Sequence, residues 1–181
     1  MPSPAIHRLL PWLASLALAL PAAASAQPVG ATLAVLDFDL IEEHVDPAQA
    51  ADMRRRILRM EEMLAQGLAE RGLYRVVELG DARTRLEELR RQQEHMHRCG
   101  ACQVEMGRAV GTKYVVAGWV QKVSNLILNI NIELREVESD RVVLNKSVDI
   151  RGNNDRAWEH GMRFLLRDFA EKRAANPAYG L

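Results

Sequence analysis

The sequence predicts one α/β domain of the α+β kind: a single mixed sheet in the order β-α-β-α-β-β-β-α, with a C-terminal β-hairpin and a final helix. Three observations predict it. Thr32 to Leu79 reads strand, helix, strand; Asn125 to Arg151 alternates apolar and polar residues about a short turn; and an apolar stripe of helical period runs from Trp158 to Phe169.

Thr32 to Asp39 (TLAVLDFD) is apolar on both faces, as a central strand is. Asp46-Pro47-Ala48-Gln49 then reads as a helix start, with Asp46 as cap, Pro47 at the first helical position and Gln49 completing a capping box. Met53, Ile57, Met60, Leu64 and Leu68 follow on one helical face, and Gly72 ends the helix. Arg54, Arg55, Arg56 and Arg59 occupy the other sides and read as a solvated face. Leu73 to Leu79 (LYRVVEL) is a second strand, parallel to the first across the helix. Asp81 caps a charged helix carrying Leu86 and Leu89 to about His97; the Cys99–Cys102 turn and a short helix through Val104 and Val110 to Gly111 follow. Lys113 to Val123 is a strand. Asn125 to Val137 and Arg141 to Arg151 pair as a hairpin around Glu138-Ser139-Asp140, with Leu134 opposite Leu144, Ile130 opposite Val148, and Asp140 in the left-handed conformation. Asp155 caps the last helix, whose stripe is Trp158, Met162, Leu165, Leu166 and Phe169, and Ala174 to Leu181 reads as a loose tail.

The chain starts with a weakly basic His7-Arg8, an apolar run from Leu9 to Leu20, Pro21, and Ala24-Ser25-Ala26. That is the pattern of a secretory signal peptide cut after Ala26, which places the rest, residues 27–173 as one domain plus the tail, in the periplasm. No Cys follows the apolar run, so no lipid anchor is expected, and no later segment is long and apolar enough to span a membrane. Lys plus Arg and Asp plus Glu both number 24, and aromatic residues make up 5%. A balanced charge with few aromatics speaks against a nucleic-acid surface.

Three groups of residues carry candidate chemistry. Cys99 and Cys102 are the only cysteines. In an oxidising compartment they most simply form a disulfide closing a small ring. Cys102 near a helix start in a Cys-x-x-Cys spacing is the redox alternative. Metal binding is a third, because His95 and His97 share the window with the thiols. Two His at a spacing of two on the charged helix point in different directions, so one His with the thiols, after the helix frays, is the form such a site would take. No haem is implied, because Gln103 stands where an axial His is required.

The second group is Asp37-Phe38-Asp39 at a strand end, where open α/β sheets bind ligands. Val35 to Leu40 resembles the first motif of haloacid-dehalogenase-type phosphatases, but Leu40 replaces the usual Thr or Val and no later acidic pair completes a magnesium site. Glu42, Glu43, His44 and Asp46 add charge for a hard-cation site; otherwise these residues solvate a loop and cap the helix. The third group is the polar hairpin face, Asn129, Asn131, Glu133, Asn145, Ser147 and Asp149, joined by Arg151 to Asn154 and Trp158. It reads as recognition of a polar ligand or partner strand, or as an ordinary exposed sheet face.

AVLDFDL, LYRVVEL and VGTKYVVAGWVQKV followed by a hairpin resemble periplasmic modules of the curli-secretion-lipoprotein and Tol-B N-terminal type. AGWVQKVSNLILNINIELREVES and VVLNKSVDIRGNNDRAWEHGMRFLLRD resemble an uncharacterised proteobacterial family of exported proteins. The resemblance implies a non-enzymatic domain that assembles with or binds partners in the cell envelope. With an export signal and no assembled catalytic constellation in the sequence, the expectation is an accessory protein that binds an envelope protein or a small polar ligand, with no cofactor. The residues themselves leave one alternative open, a thiol-redox or metal-binding protein centred on Cys99 and Cys102.

Overall fold

Alternation fixes the sheet. The computed structural model describes residues 30–43 and 45–181; the expected signal peptide and its expected cleavage site lie outside them. Strands β1 (Thr32–Val35), β2 (Asp39–Glu42), β3 (Arg75–Val77), β4 (Tyr114–Lys122), β5 (Ile127–Glu136) and β6 (Val142–Arg151) form one mixed sheet, ordered β3-β1-β4-β5-β6, with β2 also beside β4. β1 lies parallel to β3 and β4, β2 lies parallel to β4, and β4-β5-β6 is an antiparallel meander. The hairpin register is the predicted one: Ile130 faces Val148 and Leu134 faces Leu144. Asp140 takes a φ of 56°, and the register slips by one residue after Leu134.

Helices α1 (Ala50–Glu70) and α4 (Asp155–Ala175) cover one face of the sheet, burying the predicted stripes Met53 to Leu68 and Trp158 to Phe169 against Leu33, Val116, Ile130, Leu134 and Ile150. Helices α2 (Arg83–Gln92) and α3 (Gly100–Ala109) cover the β1–β4 side of the other face, over Ala34, Leu36 and Val115, and α3 also reaches the Arg135 end of β5. Beyond them that face of β5 and β6 is open. Arg55 and Arg56 reach Asp155, and Arg59 reaches Glu62 and Glu159, so most of the Arg run ties α1 to α4. The apolar hairpin face also holds a cation: Lys146, opposite Ile132, is buried and pairs with Asp168 of α4.

Several local features differ from the sequence expectation. The first strand breaks at Leu36 to Phe38. There the Phe38 N–H donates to Glu61 of α1 (2.9 Å) instead of a neighbouring strand, and its ring lies over Gly118, where a Cβ would overlap it. Asp46 does not cap α1. Its carboxylate accepts from Ala48 N (3.0 Å) and Gln49 Nε2 (2.7 Å) in a turn ahead of the helix. Asp81 lies in a 3-10 turn (Gly80–Ala82) and makes no cap. Asn154, not Asp155, caps α4, accepting from Ala157 N at 3.0 Å. α2 stops at Gln92, so His95 is extended and His97 lies in a 3-10 turn, Met96–Arg98. The tail is tied down rather than loose: the Tyr74 hydroxyl and Arg173 reach the Gly180 and Tyr179 carbonyls, and the Tyr179 ring meets Phe169.

Candidate functional site

Cross-strand pairing places residues from three sequence-distant segments in one row on the open side of the sheet. Asp39 of β2 pairs with Trp119 of β4, Trp119 with Asn131 of β5, and Asn131 with Ser147 of β6. The neighbouring pairs Asn129–Asp149 and Glu133–Asn145 flank it. Residues directly opposite on one face stand close enough to act together.

The early end of α2 bends the following loop over this row. The His97 ring stacks on Trp119 at 4.5 Å and 18°, and the His95 ring lies 5.4 Å from His97. Asp39, with 3% of its side chain exposed, accepts from the His97 main-chain N–H at 3.0 Å and lies 2.8 Å from its Nδ1. Arg90 stands 3.4 Å from the other carboxylate oxygen. One donor atom from each of Asp39, His95 and His97 fits within 4.8 Å of the others. The two histidines therefore converge, which a common helix would have prevented.

Gln103 holds this loop. It is fully buried, donates from Nε2 to the Met96 and His97 carbonyls (3.1 and 3.2 Å), and accepts from Arg135. The one sequence signal for it is a polar residue on the inward side of a short helix. Cys99 and Cys102 are joined in a disulfide just after the loop, and Cys99 caps α3 through its sulfur (Cys102 N at 3.3 Å). With both sulfurs in that bond, the described residues hold no free cysteine.

The acidic pair divides. Asp37 turns to Arg83 (3.1 Å) while Asp39 joins the histidines. His44, one of the residues weighed for a hard cation, lies outside the described residues, and the others do not gather with Asp37 and Asp39. Glu42 pairs with Lys122 at 3.0 Å, and Asp46 serves its turn. Glu61, behind the strand break, is pushed up to about 7 by burial, against the pull of the Phe38 N–H.

On the hairpin face, Asn129 bonds Asp149, Glu133 pairs with Arg135 (2.8 Å), and Arg135 also grips Asp140. Asn145 and Ser147 are exposed, and Asn131 is nearly covered, with its Nδ2 3.4 Å from the Asn129 carbonyl. Trp158 does not belong to this face. It is fully buried under α4 on the opposite side of the sheet, with its indole N–H donating to Asn153 at 3.1 Å. A shallow cleft of about 530 Å³ runs beside the unpaired edge of β6, lined by Asp149, Arg151, Asn154, Arg156 and His160.

The model of the family DUF3280, described as protein of unknown function (DUF2380), matches residues 31–169. The chain belongs to this family. The match spans the whole sheet, the His loop and most of α4, so the row lies inside the family's domain. No curated protein matches the sequence. Among solved structures, the LpoB C-terminal domain from Salmonella enterica is 15% identical, with a TM-score of 0.45 over 70% of this chain and 87% of that one. Lipoprotein GNA1162 from Neisseria meningitidis is 16% identical, with a TM-score of 0.49 over 81% and 97%. TolB from Acinetobacter baumannii is 12% identical, with a TM-score of 0.42 over 82% of this chain and 29% of that one. No role is carried over from them. Among the described residues no helix is long and apolar enough to cross a membrane.

Proposed function

We propose that this family member is a non-catalytic binding protein of the periplasm, exported and cut after Ala26, that recognises an envelope protein or a small polar ligand through the open face of β4, β5 and β6. The observation that carries this reading is the exposed polar row Asn145, Ser147 and Asp149 on β6, a ten-residue edge strand that pairs with β5 on one side and, among the described residues, is free on the other. Polar side chains on a fixed sheet suit recognition, because they are ordered before the partner arrives.

The carboxylates in and beside the row are already engaged: Asp149 by Asn129, Glu133 by Arg135, Asp39 by Arg90 and His97. A general acid or base needs hydrogen-bond reach to a reacting atom, and these carboxylates are turned to structural partners instead. A photo-crosslinking side chain placed at Asn145 or Ser147, expressed in the native envelope, tests the reading. We expect a discrete adduct from those positions and none from Arg163 on the outer side of α4. The same adducts from all three positions, or none from the hairpin, would overturn it.

A further inference from the structure

We propose that Asp39, His95 and His97 bind one divalent transition-metal ion of the zinc class. The three side chains come from two elements far apart in sequence, and one donor atom of each lies within 4.8 Å of the others. Two imidazoles and a carboxylate favour zinc, copper or nickel over magnesium or calcium, which prefer all-oxygen sites.

The surroundings are those of a built site rather than a chance surface cluster. Asp39 is buried, His97 is 9% exposed and His95 17%. Trp119 fixes the plane of the His97 ring by stacking, and the Asp39 carboxylate already stands 2.8 Å from its Nδ1, so the two donor groups are brought together before an ion binds. The loop backbone is held from below by Gln103 and from its far end by the disulfide. Donors around zinc stand about 3.4 Å apart at bond lengths near 2.0–2.1 Å. Rotation of His95, the most exposed of the three, supplies that closure.

Two charged groups face the cluster. Glu94 lies 3.8 Å from His95 on the solvent side and favours a cation. Arg90 lies 3.4 Å from Asp39 and opposes one; with a third of its side chain exposed, it has room to swing outward. Three protein donors leave at least one tetrahedral position for water or for a donor from a bound molecule. The site stands apart from the partner reading, because it is measured on the isolated chain.

The test is calorimetric titration of zinc into the disulfide-bonded chain without reductant, with cobalt absorption as a second readout of the donor set. One ion per chain is expected. His95→Ala and Asp39→Asn each weaken binding by at least about 10-fold, while His160→Ala, on α4, leaves it unchanged. His95→Ala removes a partly exposed ring, so loss of binding with an unchanged circular dichroism spectrum separates ligation from unfolding. Arg90→Gln tightens binding if Asp39 is a ligand. Failure to bind zinc, binding insensitive to His95→Ala, binding lost in His160→Ala, weaker binding in Arg90→Gln, or binding that needs reduced Cys99 and Cys102 would each overturn the assignment.

Discussion

Glu61→Gln should make the protein more stable at alkaline pH and leave it nearly unchanged in acid. The Glu61 carboxyl sits behind the break between β1 and β2 and accepts the Phe38 N–H at 2.9 Å. Burial raises it to about 7 from the usual 4.5, and the Asp37 carboxylate adds to that, against the Phe38 N–H, Arg90 and Arg83. Because the folded value is the higher one, the folded state holds the proton more tightly than the unfolded chain. The favourable contribution is complete below the ordinary carboxyl range and is lost as pH rises through about 7. Integrated over that window, the difference amounts to about 3 kcal/mol. Glutamine keeps an oxygen for the Phe38 N–H and removes the titration. Urea unfolding of both proteins between about pH 4 and about pH 8 should therefore give curves that meet in acid and separate by about 3 kcal/mol in base, with the variant the more stable. Parallel pH profiles, or a variant equally destabilised throughout, would refute the burial reasoning.

Other substitutions probe other contacts. Cys99→Ala opens a very small ring, so chain-entropy loss costs about 2 kcal/mol; the variant should still fold, and a chain that fails to fold by circular dichroism would contradict this. Gly118→Ala sets a methyl against the Phe38 ring; overpacking should cost about 1–3 kcal/mol, read as a lower urea midpoint. Asp168→Ala leaves the buried Lys146 with no carboxylate partner and should cost about 3 kcal/mol. Adding Lys146→Met should recover most of that loss, and strictly additive destabilisation in the double mutant would argue against a coupled pair.

Much of the fold was legible in periodicity. The stripes of α1 and α4, the hairpin register and the left-handed Asp140 follow from which residues are apolar and how far apart they stand. Periodicity reports whether a side chain faces inward, not what it meets there. Lys146 was unreadable for that reason: its position points inward, and only Asp168 on a helix remote in sequence satisfies it. Caps were misplaced by a residue or a turn, since several neighbouring polar side chains compete for the same free N–H groups. Trp158 looked available beside a polar segment, yet its stripe turns it beneath the sheet.

The candidate site divides along the same line. Asp37, Asp39, His95, His97, the cysteines and the alternating hairpin could each be picked from the chain by residue type. Their grouping could not. Asp39 meets His97 because α2 ends early and the loop folds back, and both share a row with Asn131 through Trp119 because β4 lies between β2 and β5. Composition and period determined by themselves that one mixed sheet would form, with one polar strip left uncovered, because burial depends on local spacing. Which strands became neighbours, which carboxylate joined the histidines and which joined Arg83 was decided by tertiary structure, because such contacts depend on loop path and strand order, quantities that no local pattern encodes.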